Sequence, residues 1–153
     1  MKLTELSAIS PIDGRYSKIV AELQEIFSEY ALIKYRIFVE IEWFIHLSNQ
    51  PNIKELPNLT KQSITFLSKI EKNFNLAEAR KVKNIEKKTN HDVKAVEYYL
   101  RDQFMQSKQL KELVEFIHFG CTSEDINNIC YALMVKDASK QLVSKNIGKL
   151  NNL

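Results

Sequence analysis

Residues 119–128 read Phe-Gly-Cys-Thr-Ser-Glu-Asp-Ile-Asn-Asn, and two adjacent hydroxyls lie where a long amphipathic helix is predicted to begin. An apolar stripe at helical spacing follows them: Ile126, Ile129, Cys130, Leu133, Met134 and Ala138. Gly120 permits a tight turn before the helix, and Thr122 or Ser123 is a good N-cap. A cap needs only one hydroxyl. The second hydroxyl therefore lies beside the free N–H groups of the first turn, an arrangement that favours a carboxylate or phosphate ligand. A well-capped helix without a ligand is the alternative interpretation.

The composition predicts an all-α fold. The chain has 153 residues, the length of one ordinary domain, and contains only three glycines and three prolines. Strand-and-turn architectures normally need more of these residues. The formal net charge of +3 is too small to indicate a nucleic-acid partner. The first residues lack an apolar signal region and no run reaches transmembrane length, so we expect a cytoplasmic protein with no membrane partner.

The sequence predicts neither a metal site nor a cofactor. Cys121 and Cys130 occupy helix-spaced positions and belong to no CxxC or Cys/His pattern, which argues against a disulfide scaffold and against structural zinc. The three glycines lie far apart, so they cannot form a glycine-rich phosphate loop.

Two further polar clusters lie at predicted turns. Arg15 and Tyr16 directly follow an Asp-Gly turn signal, and Asn90, His91 and Asp92 separate two predicted helices. Arginine can hold a phosphate through two parallel hydrogen bonds, and tyrosine can add a neutral donor. The histidine could donate to an anion or exchange a proton near neutral pH, with the aspartate orienting its ring. Each residue also has an ordinary structural role at a turn or cap, so both interpretations stay open.

Helical periodicity organises the rest of the chain. A helix over about residues 28–48 is apolar nearly all round, which predicts burial on several sides or in an assembly. Asn75 fits the cap of a basic helix, and Asp92 fits the cap of the next one. His46 and His118 have apolar neighbours and are interpreted as packing residues. The last helix continues to the chain end without a cap, so we expect a truncated chain.

Three motifs together resemble a known family. They are Ser-Pro-Ile-Asp-Gly-Arg-Tyr at 10–16, Thr-Asn-His-Asp-Val-Lys-Ala-Val-Glu-Tyr at 89–98, and Glu-Phe-Ile-His-Phe-Gly-Cys-Thr-Ser-Glu-Asp-Ile-Asn-Asn at 115–128. In this order they are similar to the N-terminal part of the adenylosuccinate lyases, in their longer bacterial form, within the fumarase/aspartase superfamily. The resemblance covers essentially the whole chain. It implies an N-terminal helical domain at 1–111, followed by the first helices of a central helical bundle at 112–153.

The resemblance also implies a function for the full-length protein. The family are carbon–nitrogen lyases of purine biosynthesis that release fumarate from adenylosuccinate, giving AMP, and from succinyl-aminoimidazole-carboxamide ribotide. They assemble as homotetramers. The implied substrate-binding residues are Arg15 and Tyr16 for the nucleotide phosphate, Asn90, His91 and Asp92 for the rest of the nucleotide, and Thr122 and Ser123 for a succinyl carboxylate.

The family's catalytic histidine and serine lie further along the chain than residue 153. The resemblance therefore implies no catalytic residue within these residues and an inactive fragment. Two alternatives stay open. One is another fumarate-releasing lyase of the superfamily, such as argininosuccinate lyase or aspartase, and the other is a non-catalytic helical interaction module.

Overall fold

The computed structural model of the protein describes residues 4–150. Helices and turns account for its regular structure and no strand occurs in this range, which confirms the predicted all-α fold. The α-helices are α1 (Gln24–Phe27), α2 (Glu29–Ser48), α3 (Lys61–Lys72), α4 (Leu76–Thr89), α5 (Asp92–Phe104), α6 (Ser123–Ala138) and α7 (Ser144–Leu150). Short 3-10 helices lie at Ala21–Leu23 and Lys111–Phe116, and a π-helical turn lies at Ser139–Val143. None of the helices in the described part of the chain is long and apolar enough to cross a membrane.

The chain divides into two compact units. One unit consists of the described residues up to Leu32 together with those from Met134 onward, and the other consists of Ile33–Leu133. These units are groups of residues in contact with one another and do not test the domain boundary expected between residues 111 and 112, which stays a prediction.

The core of the 33–133 unit is built chiefly on α2 and α5. Helix α2 begins where predicted, because the Ser28 hydroxyl accepts the Ala31 N–H at 3.1 Å. Phe44 of α2 and Phe104 of α5 meet edge to face, with ring centroids 5.0 Å apart. Other fully buried apolar side chains of this unit include Ile33, Ile37, Ile41, Leu56, Leu67, Val82, Val96, Leu100, Leu110 and Ile126. Burial on several sides of α2 agrees with its nearly continuous apolar sequence.

Asn75 caps α4 as the sequence predicts. Its backbone is extended, and its Oδ1 accepts the N–H groups of Ala77 at 2.8 Å and Glu78 at 3.3 Å. Two of the N–H groups that a helix start leaves unpaired are thereby satisfied. Helix α4 therefore begins at a fixed residue, and its far end delivers the turn at residues 90–91.

We expect Asn75→Ala to lower the free energy of unfolding of the chain by about 1 kcal/mol, because the two N–H groups lose their acceptor. Urea denaturation followed by circular dichroism measures this change. Asn75→Ser is the matched control and should retain most of the stability, since serine caps helices about as well as asparagine. Equal losses in the two variants would show that the cap does not stabilise α4.

Candidate functional site

One buried guanidinium joins two of the polar segments that the sequence predicts to be functional. The Arg36 side chain on α2 is 3% exposed. Its Nη2 donates to Asp92 Oδ2 at 2.6 Å, and its Nε donates to Asn127 Oδ1 at 2.9 Å. Asp92 is the first residue of α5, and Asn127 lies in the second turn of α6. Arg36 therefore fixes the starts of α5 and α6 relative to each other through charge-assisted hydrogen bonds.

Two further side chains on the same face of α2 hold the loop before α6. Glu40, whose side chain is fully buried, places Oε1 2.6 Å from His118 Nδ1. Trp43 Nε1 donates to the carbonyl oxygen of Phe119 at 2.8 Å. Residues 36, 40 and 43 follow helical spacing and lie on one face of α2. This face therefore holds the start of α5, the start of α6 and the loop before α6.

The turn between α4 and α5 differs from its prediction in one respect. Asn90 ends α4 in the left-handed conformation, with φ of 51°. His91 is then the N-cap of α5, because its Nδ1 accepts the Lys94 N–H at 3.2 Å. Asp92, the predicted cap, is instead the first helical residue. Its Oδ2 accepts a hydrogen bond from Arg36, and its Oδ1 accepts one from the Val93 N–H at 2.9 Å. Because both carboxylate oxygens are bonded in this way, the Asp92 side chain does not cap the helix.

At the start of α6 the two hydroxyls have different surroundings. The N–H of Thr122 donates to Asp125 Oδ2 at 2.7 Å, and the Thr122 hydroxyl donates to the same oxygen at 3.1 Å. These bonds lower the pKa of the Asp125 carboxyl, the backbone N–H contributing most. The half-buried Ser123 hydroxyl has no hydrogen-bond partner within residues 4–150. Ser123 is therefore the hydroxyl of this pair that is left for a ligand.

A cavity of about 290 Å³ lies where these segments meet. Its lining residues are His91, Lys94, Glu97, His118, Thr122 and Ser123. The structure thus brings the histidine of the 90–92 cluster together with both hydroxyls of the 122–123 cluster. Asn90 and Asp92 belong to the same turn and are not among the lining residues, and Asp92 holds Arg36 instead.

The cavity lining combines cationic groups with the buried Glu97 carboxylate, and a second buried carboxylate, Glu40, bonds to His118. Lys94 Nζ lies 2.7 Å from Glu97 Oε2, and the Lys94 side chain is about half exposed. The Glu40 carboxylate raises the pKa of His118, while burial of the ring opposes this and Glu97 adds to it. Since the folded-state pKa lies above that of a free histidine, the pair stabilises the fold at low pH. That contribution is lost as the pH rises through the folded-state pKa.

Arg15 and Tyr16 belong to the other compact unit. Gly14, just before them, is buried, and a Cβ at this position would lie 2.9 Å from the Ala8 Cβ and 3.0 Å from the Glu5 carbonyl oxygen. The Arg15 guanidinium lies 4.5 Å from the centroid of the Tyr16 ring, and both side chains are exposed. Arg15 also lines an open cavity of about 400 Å³. The convergence of this pair with the other two clusters stays a prediction.

His118, interpreted from the sequence as a packing residue, has polar contacts that its apolar neighbours in sequence did not indicate. Its ring lines the cavity and bonds to a buried carboxylate, and its backbone is left-handed, with φ of 60°. Glu40 was not singled out, although a glutamate inside an apolar helix signals a buried charge that needs a partner. His46, by contrast, stacks on Trp43 with ring centroids 5.7 Å apart. Among the described residues, no group of three or more His, Cys, Asp or Glu side chains is placed to hold a metal ion.

We expect Arg36→Lys to lower the free energy of unfolding by about 1–3 kcal/mol, because an ammonium cannot make both hydrogen bonds from one position. The backbone amide NMR signals of Asp92 and Asn127 should shift together. Arg80→Lys, at an exposed position of α4, is the control and should change stability by less than about 0.5 kcal/mol. Unshifted signals at both partners would contradict the bridging role of Arg36.

The chain is similar to known lyases along most of its length. A family described as Lyase matches residues 14–153. The chain is 54% identical over 150 residues to adenylosuccinate lyase of Legionella pneumophila (strain Corby), covering 98% of this chain and 33% of the relative. It is 54% identical over 143 residues to adenylosuccinate lyase of Buchnera aphidicola subsp. Schizaphis graminum, covering 94% and 31%.

Adenylosuccinate lyase of Escherichia coli (strain K12) is 46% identical over 143 residues, again covering 94% of this chain and 31% of the relative. The chain thus spans about a third of the length of the curated relatives it matches. The match to the family includes every residue of the cavity at the starts of α5 and α6. The chain belongs to this lyase family.

Proposed function

We propose that the whole protein is an adenylosuccinate lyase. It eliminates fumarate from adenylosuccinate to give AMP, and from succinyl-aminoimidazole-carboxamide ribotide, in purine nucleotide biosynthesis. The relatives that carry this name support the proposal, and so does the resemblance of the three motifs. The structural observation that supports the proposal most strongly is the cavity lined by His91, Thr122 and Ser123.

The chemistry of the elimination explains why such a cavity is needed. A base removes a proton from the carbon next to one succinyl carboxylate, and the freed electron pair forms the double bond of fumarate. The carbon–nitrogen bond breaks with its electron pair going to the nitrogen, which takes a proton from an acid and leaves as the amino group of AMP. Negative charge develops on the carboxylate oxygens during proton removal. Donors fixed around those oxygens stabilise the charge and lower the barrier.

Thr122 and Ser123 are proposed to hold that carboxylate. The Ser123 hydroxyl has no partner within the described range, so it is free to donate without breaking a bond inside the protein. The Thr122 hydroxyl is already bonded to Asp125, and its part is to fix the start of the helix. The N-terminus of α6 adds a favourable dipole, which contributes about 0.3–1 kcal/mol toward an anion.

The other two clusters are proposed to bind the nucleotide. His91 lines the cavity, and Asn90 and Asp92 shape the turn that carries it. Arg15 and Tyr16 are proposed to bind the phosphate. The stacking of the guanidinium on the neighbouring ring supports this role, because it limits the rotamers of an exposed arginine before a ligand arrives.

The assembly and location of the whole protein are also proposals. We propose a cytoplasmic homotetramer without metal or cofactor and without a nucleic-acid partner. Its N-terminal helical domain comprises residues 1–111, and its central bundle begins in residues 112–153. The resemblance to the family supports these statements.

We expect Ser123→Ala in the whole protein to lower kcat by about 10²–10³, because one donor to the developing charge is lost. Fumarate release from adenylosuccinate measures the rate. The free energy of unfolding should change by less than about 0.5 kcal/mol, since the hydroxyl holds no other group. Ser68→Ala, at a half-buried position of α3, is the matched control and should leave turnover unchanged. A near-normal kcat for Ser123→Ala would remove this residue from the carboxylate site.

We expect Arg15→Ala to weaken AMP binding about 10–100-fold, the effect of losing a charge-assisted bond to the phosphate. Calorimetric titration of the whole protein with AMP measures it. Lys18→Ala, a neighbouring exposed cation, controls for a general change in charge. Unchanged affinity in Arg15→Ala would favour a lyase whose substrate carries no phosphate, such as argininosuccinate lyase or aspartase.

A further inference from the structure

Glu40 is a buried charge with one identified contact. Its side chain is fully buried inside α2. Oε1 lies 2.6 Å from His118 Nδ1, and Oε2 has no hydrogen-bond partner among the described residues. A carboxylate in such a place costs stability unless its partner compensates. An apolar side chain at this position would pack without that cost, so the carboxylate has a use other than filling the core.

His118 is the group that Glu40 acts on. Residues with a β-carbon rarely adopt its left-handed backbone, and a conformation of this kind is kept only when the surroundings hold it. With Nδ1 engaged by Glu40, Nε2 is the ring nitrogen available to a ligand. The ring lines the cavity together with His91 and Ser123.

We infer that Glu40 is a positioning residue of the candidate site, which holds the His118 ring in place and supplies the negative charge opposite it, so that His118 meets an anionic ligand as an imidazolium. This inference deepens the proposed function and rests on it for the identity of the ligand. The contact between the two side chains is independent of that function.

The groups around the imidazole support a cationic ring. The titratable and charged side chains around it are Glu40 of α2, Lys94 and Glu97 of α5, Cys121 of the loop, Asp125 of α6, and His91, which lines the same cavity. The pKa of His118 is raised, with the Glu40 hydrogen bond as the largest cause, although burial and Lys94 act against it. Burial raises the pKa of the Cys121 thiol to about 12, so this group, 3.6 Å from Nδ1, stays neutral.

The consequence for binding has a definite sign. The ring is protonated below its folded-state pKa and neutral above it, so an anion binds more tightly on the acidic side. Removing the charge of Glu40 lowers that pKa. At a pH between the two folded-state pKa values, the variant presents a neutral ring where the wild type presents a cation, so the variant binds the anion less well. Below both pKa values the ring is charged in both proteins, and the difference disappears.

Glu40→Gln tests the inference, because glutamine keeps the shape and a hydrogen-bonding oxygen but removes the charge. Glu42→Gln is the matched control, since Glu42 lies on the same helix and is exposed. The first measurement is NMR titration of the imidazole signals in the 153-residue chain, which contains only three histidines. We expect the pKa of His118 to lie above 6.5, the ordinary value of a histidine, in the wild type and in Glu42→Gln. In Glu40→Gln we expect this pKa to be lower than in the wild type.

The second measurement is the Kd of fumarate for the whole protein across the pH range in which histidine titrates, because a fumarate carboxylate is the anion proposed to enter this cavity. We expect Glu40→Gln to bind fumarate about tenfold more weakly between the two His118 midpoints and nearly as well as wild type below both of them. Both carboxyl groups of fumarate are already ionised in this range, so the charge of the ligand does not change during the titration.

An unchanged His118 titration in Glu40→Gln would overturn the inference, and so would fumarate affinity that follows the wild-type pH profile. If the variant does not fold, the wild-type titration decides, because a midpoint at or below 6.5 contradicts the role of Glu40. If no form of the protein binds fumarate, the proposed carboxylate site fails, and the NMR titration still decides whether Glu40 sets the protonation state of His118.

Discussion

The two hydrogen bonds of the Arg36 guanidinium are the contacts on which the candidate site depends. They join the first turn of α5, through Asp92, to the second turn of α6, through Asn127. Those helix starts carry the histidine and the hydroxyls that line the cavity. A planar guanidinium fixes direction as well as distance, so the two helix starts have little freedom to separate or rotate.

Helix α2 is well suited to hold such contacts. Its apolar faces pack into the core, with Phe44 against Phe104. This packing holds in place the backbone that carries Arg36 and Glu40. Arg36 and Glu40 lie one turn apart and are almost completely buried, and each bonds to a segment distant in sequence. Buried charges with specific partners favour one arrangement over others, because a displaced partner leaves an unpaired charge in the core. A binding site on packed helices is held more precisely than one on free loops.

Local signals in the sequence predicted most of the fold and only part of the site. Scarce glycine and proline, helical periodicity and the cap at Asn75 were enough for the all-α architecture. The sequence did not show that His91 would replace Asp92 as the cap, because the bond that occupies the aspartate comes from Arg36, 56 positions away. Glu40 and His118 are separated by 78 positions, and no periodicity relates residues that far apart. Pairs of residues this far apart in sequence can be recognised only once the helices are packed.

We propose that the 90–92 turn and the start of α6 form one anion-binding site. The decisive experiment is a crystal structure of the whole protein with AMP and fumarate bound. We expect a carboxylate of fumarate within hydrogen-bond distance of the Ser123 hydroxyl and the nucleotide in contact with His91, in the same cavity, with the Arg36 bridge intact. Ligands that contact the two segments in separate places, or that leave the cavity empty, would show that the two segments do not form one site.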